Sequence, residues 1–268
     1  PTETARTEIL YGQVYRGVRR LLSKLAPGMT KIEGCALLQY DGSVPLAHPT
    51  VVTFGARTAM RWASPSLNQL QIKDAVRIVF GLRGAGIVRS GYAVKNNEEL
   101  ASLYPDCLES VVYPHFELLL NWYRALKVDA VAGEVYGQIK PSIDRASVRG
   151  PLNAGSISRE DPWIHAPFRP GSDARLQSGT MIRSSMYSRP FGDGHYLCIE
   201  DGLVLADEDH RDQLQAEYPK VWQRIHARRR RMIDTIGYEL HEDVLPLNDM
   251  QGQVSPCLLH PGFTLRRR

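Results

Sequence analysis

Cysteine is scarce in this sequence, and its few positions are far apart. The 268 residues include four cysteines, Cys35, Cys107, Cys198 and Cys257. No two of them form a Cys-x-x-Cys pair, which argues against a zinc knuckle and against a redox-active dithiol. Because free thiols persist in reducing compartments, we predict a cytoplasmic protein.

Long hydrophobic runs, a leader sequence and linkers are also lacking. No apolar stretch approaches the roughly 18 residues that suggest a membrane span, and the N-terminus has no signal-peptide pattern. No Ser/Gly-rich or Pro-rich linker divides the chain. With 43% hydrophobic residues, the chain can form a core without disulfides or a structural metal. We therefore expect one globular unit, residues 1–268, with no membrane partner.

A large excess of one charge is absent as well. The formal net charge is +4, and it comes mainly from the clusters Arg228–Arg231 and Arg266–Arg268. Binding a polyanion requires a basic face that neutralises several phosphates together, whereas successive helical residues point to different sides. We predict that the first cluster is a solvated helix surface and that nucleic acid is not a partner.

The first part of the chain alternates helical and strand patterns. Apolar residues recur at helical spacing from Thr4 to Leu25, and the Pro27-Gly28 pair that follows predicts the helix end. Thr30, with Glu33 three residues on, is typical of a capping box at the start of a second helix. Short β-branched segments bounded by Gly or Pro predict strands at 48–55, 75–81 and 86–94.

Helical patterns dominate the second part. They cover 100–126, 130–143 and 208–236, the last with Asp207 or Asp209 as its cap, Gly237 as its end and a break near Tyr218, because Pro219 interrupts a helical ladder. Between them, Leu176–Arg183 and His195–Leu205 are predicted to be neighbouring strands. This order of elements indicates an α+β fold.

Five stretches, in the same order, resemble the catalytic domain of the aminopeptidase P, prolidase and creatinase family. The first is Pro27-Gly28-Met29-Thr30 with Glu33. The others are Gly133-Glu134-Val135-Tyr136, Leu152-Asn153-Ala154-Gly155 leading to Trp163, Pro170-Gly171-Ser172 with Leu176-Gln177-Ser178-Gly179, and Ile199-Glu200-Asp201-Gly202 leading to Asp207. The stretch from Tyr218-Pro219 to Leu245-Pro246-Leu247-Asn248 resembles the end of a creatinase-like subgroup.

The resemblance implies a pita-bread fold, in which a curved, mainly antiparallel sheet is flanked by helices in two pseudo-twofold halves, here about 1–126 and 127–268. It also implies that the N-terminal domain of the larger relatives is absent from this chain. That domain often closes the pocket or the dimer. A homodimer, or a partner subunit in place of that domain, is therefore expected.

The same resemblance shows where metal ligands are expected and lost. Metal-using members hold two divalent ions with two aspartates, a histidine and two further acids, and these ions activate water. The corresponding stretches of this chain place Gly81, Ser90, Ser156 and Ser184 where a ligand is expected. Only Glu200 stands where a ligand acid belongs. We predict no metal or other cofactor in the central pocket.

Creatinase works on this fold without metal, with a histidine as proton shuttle, so a catalytic histidine is sought here. Histidine suits the task because its pKa lies near working pH. The candidates are His165 and His48, acting with Glu200. His48 has the alternative of a buried structural residue. His195, after Gly-Asp-Gly, is expected to lie in a surface turn.

Arginines occupy several segments that the family uses to line its pocket. They are Arg57, Arg61, Arg89 and Arg183, accompanied by the candidate lining residues Ser90, Ser156 and Trp163. A guanidinium presents a planar fork to carboxylates and phosphates. We expect Glu200 to neutralise one guanidinium and to leave another for an anionic ligand, with exposed strand ends as the alternative. No serine has the surroundings of a nucleophile.

The sequence thus predicts a metal-independent, creatinase-like enzyme. Its substrate is expected to be a small, polar, carboxylate-bearing molecule, with C–N hydrolysis as the default reaction. Two alternatives stay open: a catalytically silent member that acts as a binding or scaffold module, and a metal-dependent Xaa-Pro-type peptidase.

Overall fold

A computed structural model describes residues 1–60, 63–146, 166–192, 194–260 and 262–267, and the backbone of 156–157. The helices are α1 Thr2–Lys24, α2 Lys31–Leu37, α3 Asn97–Leu103, α4 Tyr113–Ala125, α5 Ala132–Ala146, α6 Glu208–Glu217 and α7 Pro219–Arg230. Shorter turns of helix are Gly55–Ala59, Leu108–Val112 and Arg231–Ile236. The strands are β1 Val51–Phe54, β2 Ala75–Leu82, β3 Ala85–Tyr92, β4 Ser156–Ile157, β5 Met181–Arg183, β6 Met186–Tyr187, β7 Cys198–Glu200, β8 Gly202–Leu205 and β9 Val244–Pro246.

Helix boundaries follow the local chemistry of the sequence. The capping box at α2 forms as predicted: the Glu33 amide donates to Thr30 Oγ1, and the Thr30 amide donates to the Glu33 carboxylate at 2.7 Å. The last helical segment breaks at Tyr218, as predicted, and α7 begins at Pro219. Asp207 caps α6, and Gly237 ends the final turn with a φ of 94°, a left-handed conformation that favours glycine.

The predicted long helix over 100–126 is wrong in its continuity. The chain leaves α3 at Tyr104, with a ψ of 90°, and resumes through the turn 108–112 into α4. Pro105 explains the interruption, because a residue that precedes proline is disfavoured in the α region.

The described strands form two sheets in which every paired strand is antiparallel. One sheet has the order β1-β2-β3-β7-β6 and the other β4-β5-β8-β9. The predicted neighbours Leu176–Arg183 and His195–Leu205 do pair, with Met181 opposite Val204. They are shorter than expected, and the second one divides at Asp201. Its first part, β7, belongs to the five-stranded sheet and its second part, β8, to the four-stranded sheet, so Asp201 lies where the chain passes between the sheets.

The two faces of the five-stranded sheet differ in what they contact. One face, with Val52, Ile78 and Ile87, packs on the buried side of α1 in one large hydrophobic cluster. The opposite face carries a small cluster of Val51, Val79, Val88 and Cys198, bordered by the half-buried Tyr187 and Tyr196. This opposite face is called the site face below. A second large cluster lies among α3, α4, α5 and the inner strands.

Two surface expectations are wrong. His195 is buried rather than exposed in a turn, with 2% of its surface accessible, because its Nδ1 lies 3.1 Å from Thr58 Oγ1 and its ring packs edge-on to Tyr92. Arg228 is also buried, because Glu8 of α1 and Asp249 each lie 2.6 Å from its guanidinium. In the described residues, no helix is long and apolar enough to cross a membrane.

Candidate functional site

A buried ion pair lies beside the site face. Arg183, at the end of β5, pairs with Glu200, at the end of β7, and each side chain is 2% exposed. Glycine makes room for the pair, since a Cβ at Gly86 would overlap the guanidinium. Burial opposes the charge on Arg183, but the Glu200 carboxylate raises the pKa of the guanidinium. The Arg183 guanidinium is therefore charged in the folded protein.

His48 lies next to this pair. A Cβ at Gly81 would come within 2.9 Å of His48 Nε2, and Gly81 faces Gly86 across the β2–β3 ladder. The imidazole and the Arg183 guanidinium thus lie over neighbouring glycines. His48 Nδ1 is 3.1 Å from the carbonyl of Pro49, and a carbonyl only accepts, so Nδ1 carries the proton. Burial lowers the pKa of His48, which favours the neutral ring with Nε2 unprotonated.

A second ion pair, Arg89 with Asp201, lies deeper in the molecule. The pair distance is 2.7 Å, and the side chains are 2% and 1% exposed. The terminal nitrogens of Arg89 also donate to three backbone carbonyls, those of Val88, Glu200 and Met250, at 2.8 to 3.1 Å.

The Asp201 carboxylate has further donors on the C-terminal side of the chain. It accepts from Asn248 Nδ2 at 3.0 Å and from the Gly252 amide at 3.1 Å. Asn248 in turn contacts Gln251, which donates to Tyr123 OH at 2.7 Å. This set of residues, from Arg89 to Tyr123, is called the Asp201 network below. It ties β3, the passage between the sheets, α4 and the segment after β9 together.

Ser90 and Ser184 make backbone contacts. Ser90 Oγ accepts from the Cys198 amide at 2.6 Å and donates to the Cys198 carbonyl at 3.1 Å. Ser184 Oγ accepts from the Asp201 amide at 3.1 Å. Ser90 thus links β3 to β7, and Ser184, the residue after β5, is linked to the passage between the two sheets.

Arg77 of β2 is a site residue that the sequence analysis missed. It is 2% exposed and lies opposite Ser90 in the ladder, on the site face. Its guanidinium stacks on Tyr196, 4.8 Å from the ring centroid, and donates to the Tyr196 hydroxyl. A signal was present, since an arginine interrupts the apolar run Ala75-Val76-Arg77-Ile78-Val79.

The other predicted site residues lie apart or outside the described residues. Arg57 is half-buried in the short turn after β1, where its charge helps burial to lower the pKa of Lys31. Ser156 faces Arg183 in the β4–β5 ladder, and its side chain is outside the description. Arg61, Trp163 and His165 fall at positions that the structure does not describe, so these predictions stay predictions.

One electrostatic expectation is wrong. Glu200 was expected to neutralise one arginine and to leave the other unpaired, but Arg183 pairs with Glu200 and Arg89 pairs with Asp201. Asp201 was not expected as a partner because it stands within the motif Ile199-Glu200-Asp201-Gly202. Two consecutive acids, where the chain passes between the sheets, therefore pair with different arginines: Glu200 with Arg183 and Asp201 with Arg89.

Among the solved structures that this architecture matches are several Xaa-Pro peptidases. A Bacillus anthracis Xaa-Pro dipeptidase superposes with a TM-score of 0.59 at 18% identity over 78% of this chain and 59% of its own. A Thermotoga maritima X-Pro aminopeptidase gives 0.60 at 18% over 77% and 59%, and a Pyrococcus furiosus prolidase gives 0.58 at 18% over 75% and 60%. The chain has the pita-bread fold. No protein-family model and no curated protein matches it.

The chain spans about three fifths of the length of these solved structures. At these identities the likeness defines the fold, and the chemistry has to be judged from the residues present. In the described part of the chain, no three His, Cys, Asp or Glu side chains are grouped as metal ligands. The Arg183 guanidinium is paired with Glu200, and a cation beside a carboxylate opposes a second, metallic cation. These residues do not fit a two-metal centre.

Proposed function

We propose that this pita-bread protein is a metal-independent hydrolase that acts on a small, polar, carboxylate-bearing molecule. One observation carries the proposal: Arg183 pairs with Glu200, the residue for which the family resemblance implies a metal-ligand position. A guanidinium supplies a fixed positive charge and directed donors but cannot ionise a bound water in the way a metal does. The proton transfer must therefore come from a side chain.

His48 is the described residue best suited to that transfer. Burial lowers the pKa of His48, so its Nε2 is unprotonated and able to accept a proton, and the ring lies over the Gly81–Gly86 pair next to Arg183. In the proposed reaction His48 Nε2 takes a proton from water as the water oxygen attacks the carbon of a C–N bond. The imidazolium then protonates the leaving nitrogen. His165 remains a second candidate for this role.

A binding module without catalysis is the second candidate function. The burial of the Arg183–Glu200 ion pair favours it. Arg183 and Glu200 are each 2% exposed, and four cavities lined by described residues lie elsewhere, around residues such as Thr7, Gln39, Arg19 and Asn121. A closed pair of this kind can stabilise a fold without chemistry.

The setting of the protein is also part of the proposal. We place it in the cytoplasm, which is supported by four cysteines that are all free thiols. A homodimer, or a partner subunit that covers the pocket, stays a prediction.

The test combines metal analysis with turnover. Purified protein is analysed for bound metals and then incubated with a panel of small N-acyl and N-guanidino carboxylic acids, with and without EDTA. We expect hydrolysis that EDTA does not change. His48→Gln should lower kcat by about 10²- to 10⁴-fold, the usual contribution of a general base, with an unchanged melting temperature.

The alternatives give different results. Activity that requires added manganese or cobalt, and that EDTA removes, would support a metallopeptidase and contradict the proposal. Ligand binding without turnover of any panel member would support the binding module. Arg230→Gln is the control, because this arginine is exposed on α7 away from the site face.

A further inference from the structure

We propose that Arg77 is the residue that anchors the carboxylate of the ligand. This inference deepens the proposed function, since it names the side chain on the site face that recognises the ligand's charge. It is carried by an imbalance at Arg77 that the other buried arginines of the described chain do not share.

The buried arginines differ in their partners. Arg89, Arg183 and Arg228 each pair with at least one carboxylate: Asp201, Glu200, and Glu8 with Asp249. Arg77 is as buried as Arg89 and Arg183, at 2% exposure. Among the described residues, none of the carboxylates forms an ion pair with it. A buried, unpaired cation is costly, so an anion is expected to complete this site.

The groups that the structure describes around Arg77 are uncharged. Its Nη1 donates to the Tyr196 hydroxyl and, at 3.5 Å, to the Met60 carbonyl. Its Nε is buried and has no hydrogen-bond partner. His195 beside it is neutral, because burial and the Arg77 charge lower the pKa of His195 to about 3. Neutral acceptors thus occupy Nη1 of Arg77 and leave its Nε unused. Nε is also without a partner in Arg89 and Arg183, so what sets Arg77 apart is the lack of a described carboxylate partner.

Arg77 shares the site face with the proposed catalytic residues. It alternates with Val79 and Gly81 along β2 and faces Ser90 on β3, so its side chain leaves the sheet on the same side as His48. Its charge contributes to the lowered pKa of His48. An anion bound at Arg77 is therefore held on the same surface as the general base, at the other end of the strand.

A carboxylate fits this position for a geometric reason. Two oxygens in one plane match a guanidinium edge, which in Arg77 includes the unpartnered Nε. The stacked Tyr196 ring covers one side of the guanidinium and excludes water from the contact, which strengthens it. The anchored ligand is predicted to be a small carboxylic acid whose scissile C–N bond lies toward His48.

The test measures binding rather than turnover. Thermal unfolding and calorimetry compare succinate and glutarate with their uncharged analogues succinamide and glutaramide. We expect the acids, and not the amides, to raise the wild-type melting temperature, because a ligand of the folded state stabilises it. Arg77→Gln should weaken acid binding by at least about 30-fold, the lower end for truncating a buried charge pair.

Matched variants separate recognition from a structural role. Without ligand, Arg77→Gln should be as stable as the wild type or more stable, since it removes a buried charge that pairs with no carboxylate of the described residues. Arg230→Gln should bind the acids normally. The inference is overturned if no acid stabilises the wild type, if Arg77→Gln binds acids as well as the wild type does, or if that variant is destabilised without ligand. Acid binding without hydrolysis would overturn the proposed reaction and leave this anchor standing.

Discussion

The Asp201 network and the site face contain the same kinds of buried polar residue but differ in how these are satisfied. Both oxygens of Asp201 accept hydrogen bonds, and both terminal nitrogens of Arg89 donate. The guanidinium Nε has no hydrogen-bond partner in Arg89, Arg77 or Arg183, so the two regions differ in the partners of the terminal nitrogens and not at Nε. In the Asp201 network the charges of Arg89 and Asp201 pair with each other, whereas Arg77 has no carboxylate partner among the described residues.

Because of that difference, we expect the Asp201 network to contribute to stability and the site face to contribute to function. Buried polar groups in folded proteins are normally hydrogen-bonded, and a group left incomplete needs a reason, such as a ligand. The Asp201 network connects elements that are distant in sequence, from β3 to the segment after β9, so it is expected to stabilise the junction of the two sheets. The site face is expected to gain its missing partner from solution.

The largest effect is expected from breaking the Asp201 network. Arg89→Gln removes a cation that is 2% exposed and leaves the Asp201 carboxylate buried without its charge partner. We expect the free energy of unfolding to fall by about 3–5 kcal/mol, the range for breaking a buried pair on one side. Urea denaturation followed by circular dichroism measures this loss.

A double variant controls this experiment. Arg89→Gln with Asp201→Asn removes both charges, so it should recover part of the stability that the single variant loses. If Arg89→Gln is no less stable than Arg77→Gln, the distinction between a satisfied and an unsatisfied region is wrong.

A smaller, pH-dependent effect is expected from His115. This residue of α4 is fully buried, neither ring nitrogen has a partner, and burial lowers its pKa to about 4. The unfolded histidine, with a pKa of about 6.5, binds the proton first as pH falls. The stability contributed by neutral His115 is therefore complete above pH 6.5 and is lost between about 6.5 and 4, by up to about 1.4 kcal/mol per pH unit.

His115→Phe should make the unfolding free energy less dependent on pH in that window. Urea midpoints at several pH values from 7 to 4.5 measure the slope. His260→Gln is the control, because this histidine is exposed and its replacement should leave the slope unchanged. An equal slope in His115→Phe and the wild type would show that His115 does not titrate as its burial requires. His115 thus differs from the buried arginines of the site face. Its ring nitrogens have no partner, but an imidazole can lose its charge, whereas a guanidinium does not.

Local signals in the sequence were sufficient for much of the fold. The capping box at Thr30 and the break at Pro219 depend on residues within one turn, and both were predicted. The division at Asp201 was missed because the run from Cys198 to Leu205 is apolar on both sides of the adjacent acids Glu200 and Asp201. Which sheet each part joins is decided by partners far along the chain, Arg89 for β7 and Arg183 for β8.

The site was predictable in composition but not in pairing. The family resemblance pointed to Arg89, Arg183 and Glu200, and the structure places Arg183 against Glu200. His48 was brought to the same place by a pair of glycines, Gly81 and Gly86, whose facing register no local pattern reveals. Arg77 was overlooked because a lone arginine in a strand usually faces solvent. Only tertiary packing shows that it is buried.

The smallest loss of stability is expected at the protein surface, and it serves as the reference for the loss expected in the buried Asp201 network. Asp207 caps α6, and its Oδ1 accepts from the His210 amide at 3.0 Å. An N-cap carboxylate satisfies an amide that has no partner within the helix, so Asp207→Ala should cost about 1 kcal/mol of unfolding free energy. Asp207→Asn keeps the acceptor and should cost less, which separates the hydrogen bond from the charge. Urea denaturation measures both. Because solvent can replace a lost partner here, a loss as large as that of Arg89→Gln would mean that burial is not what makes the Asp201 network costly to break.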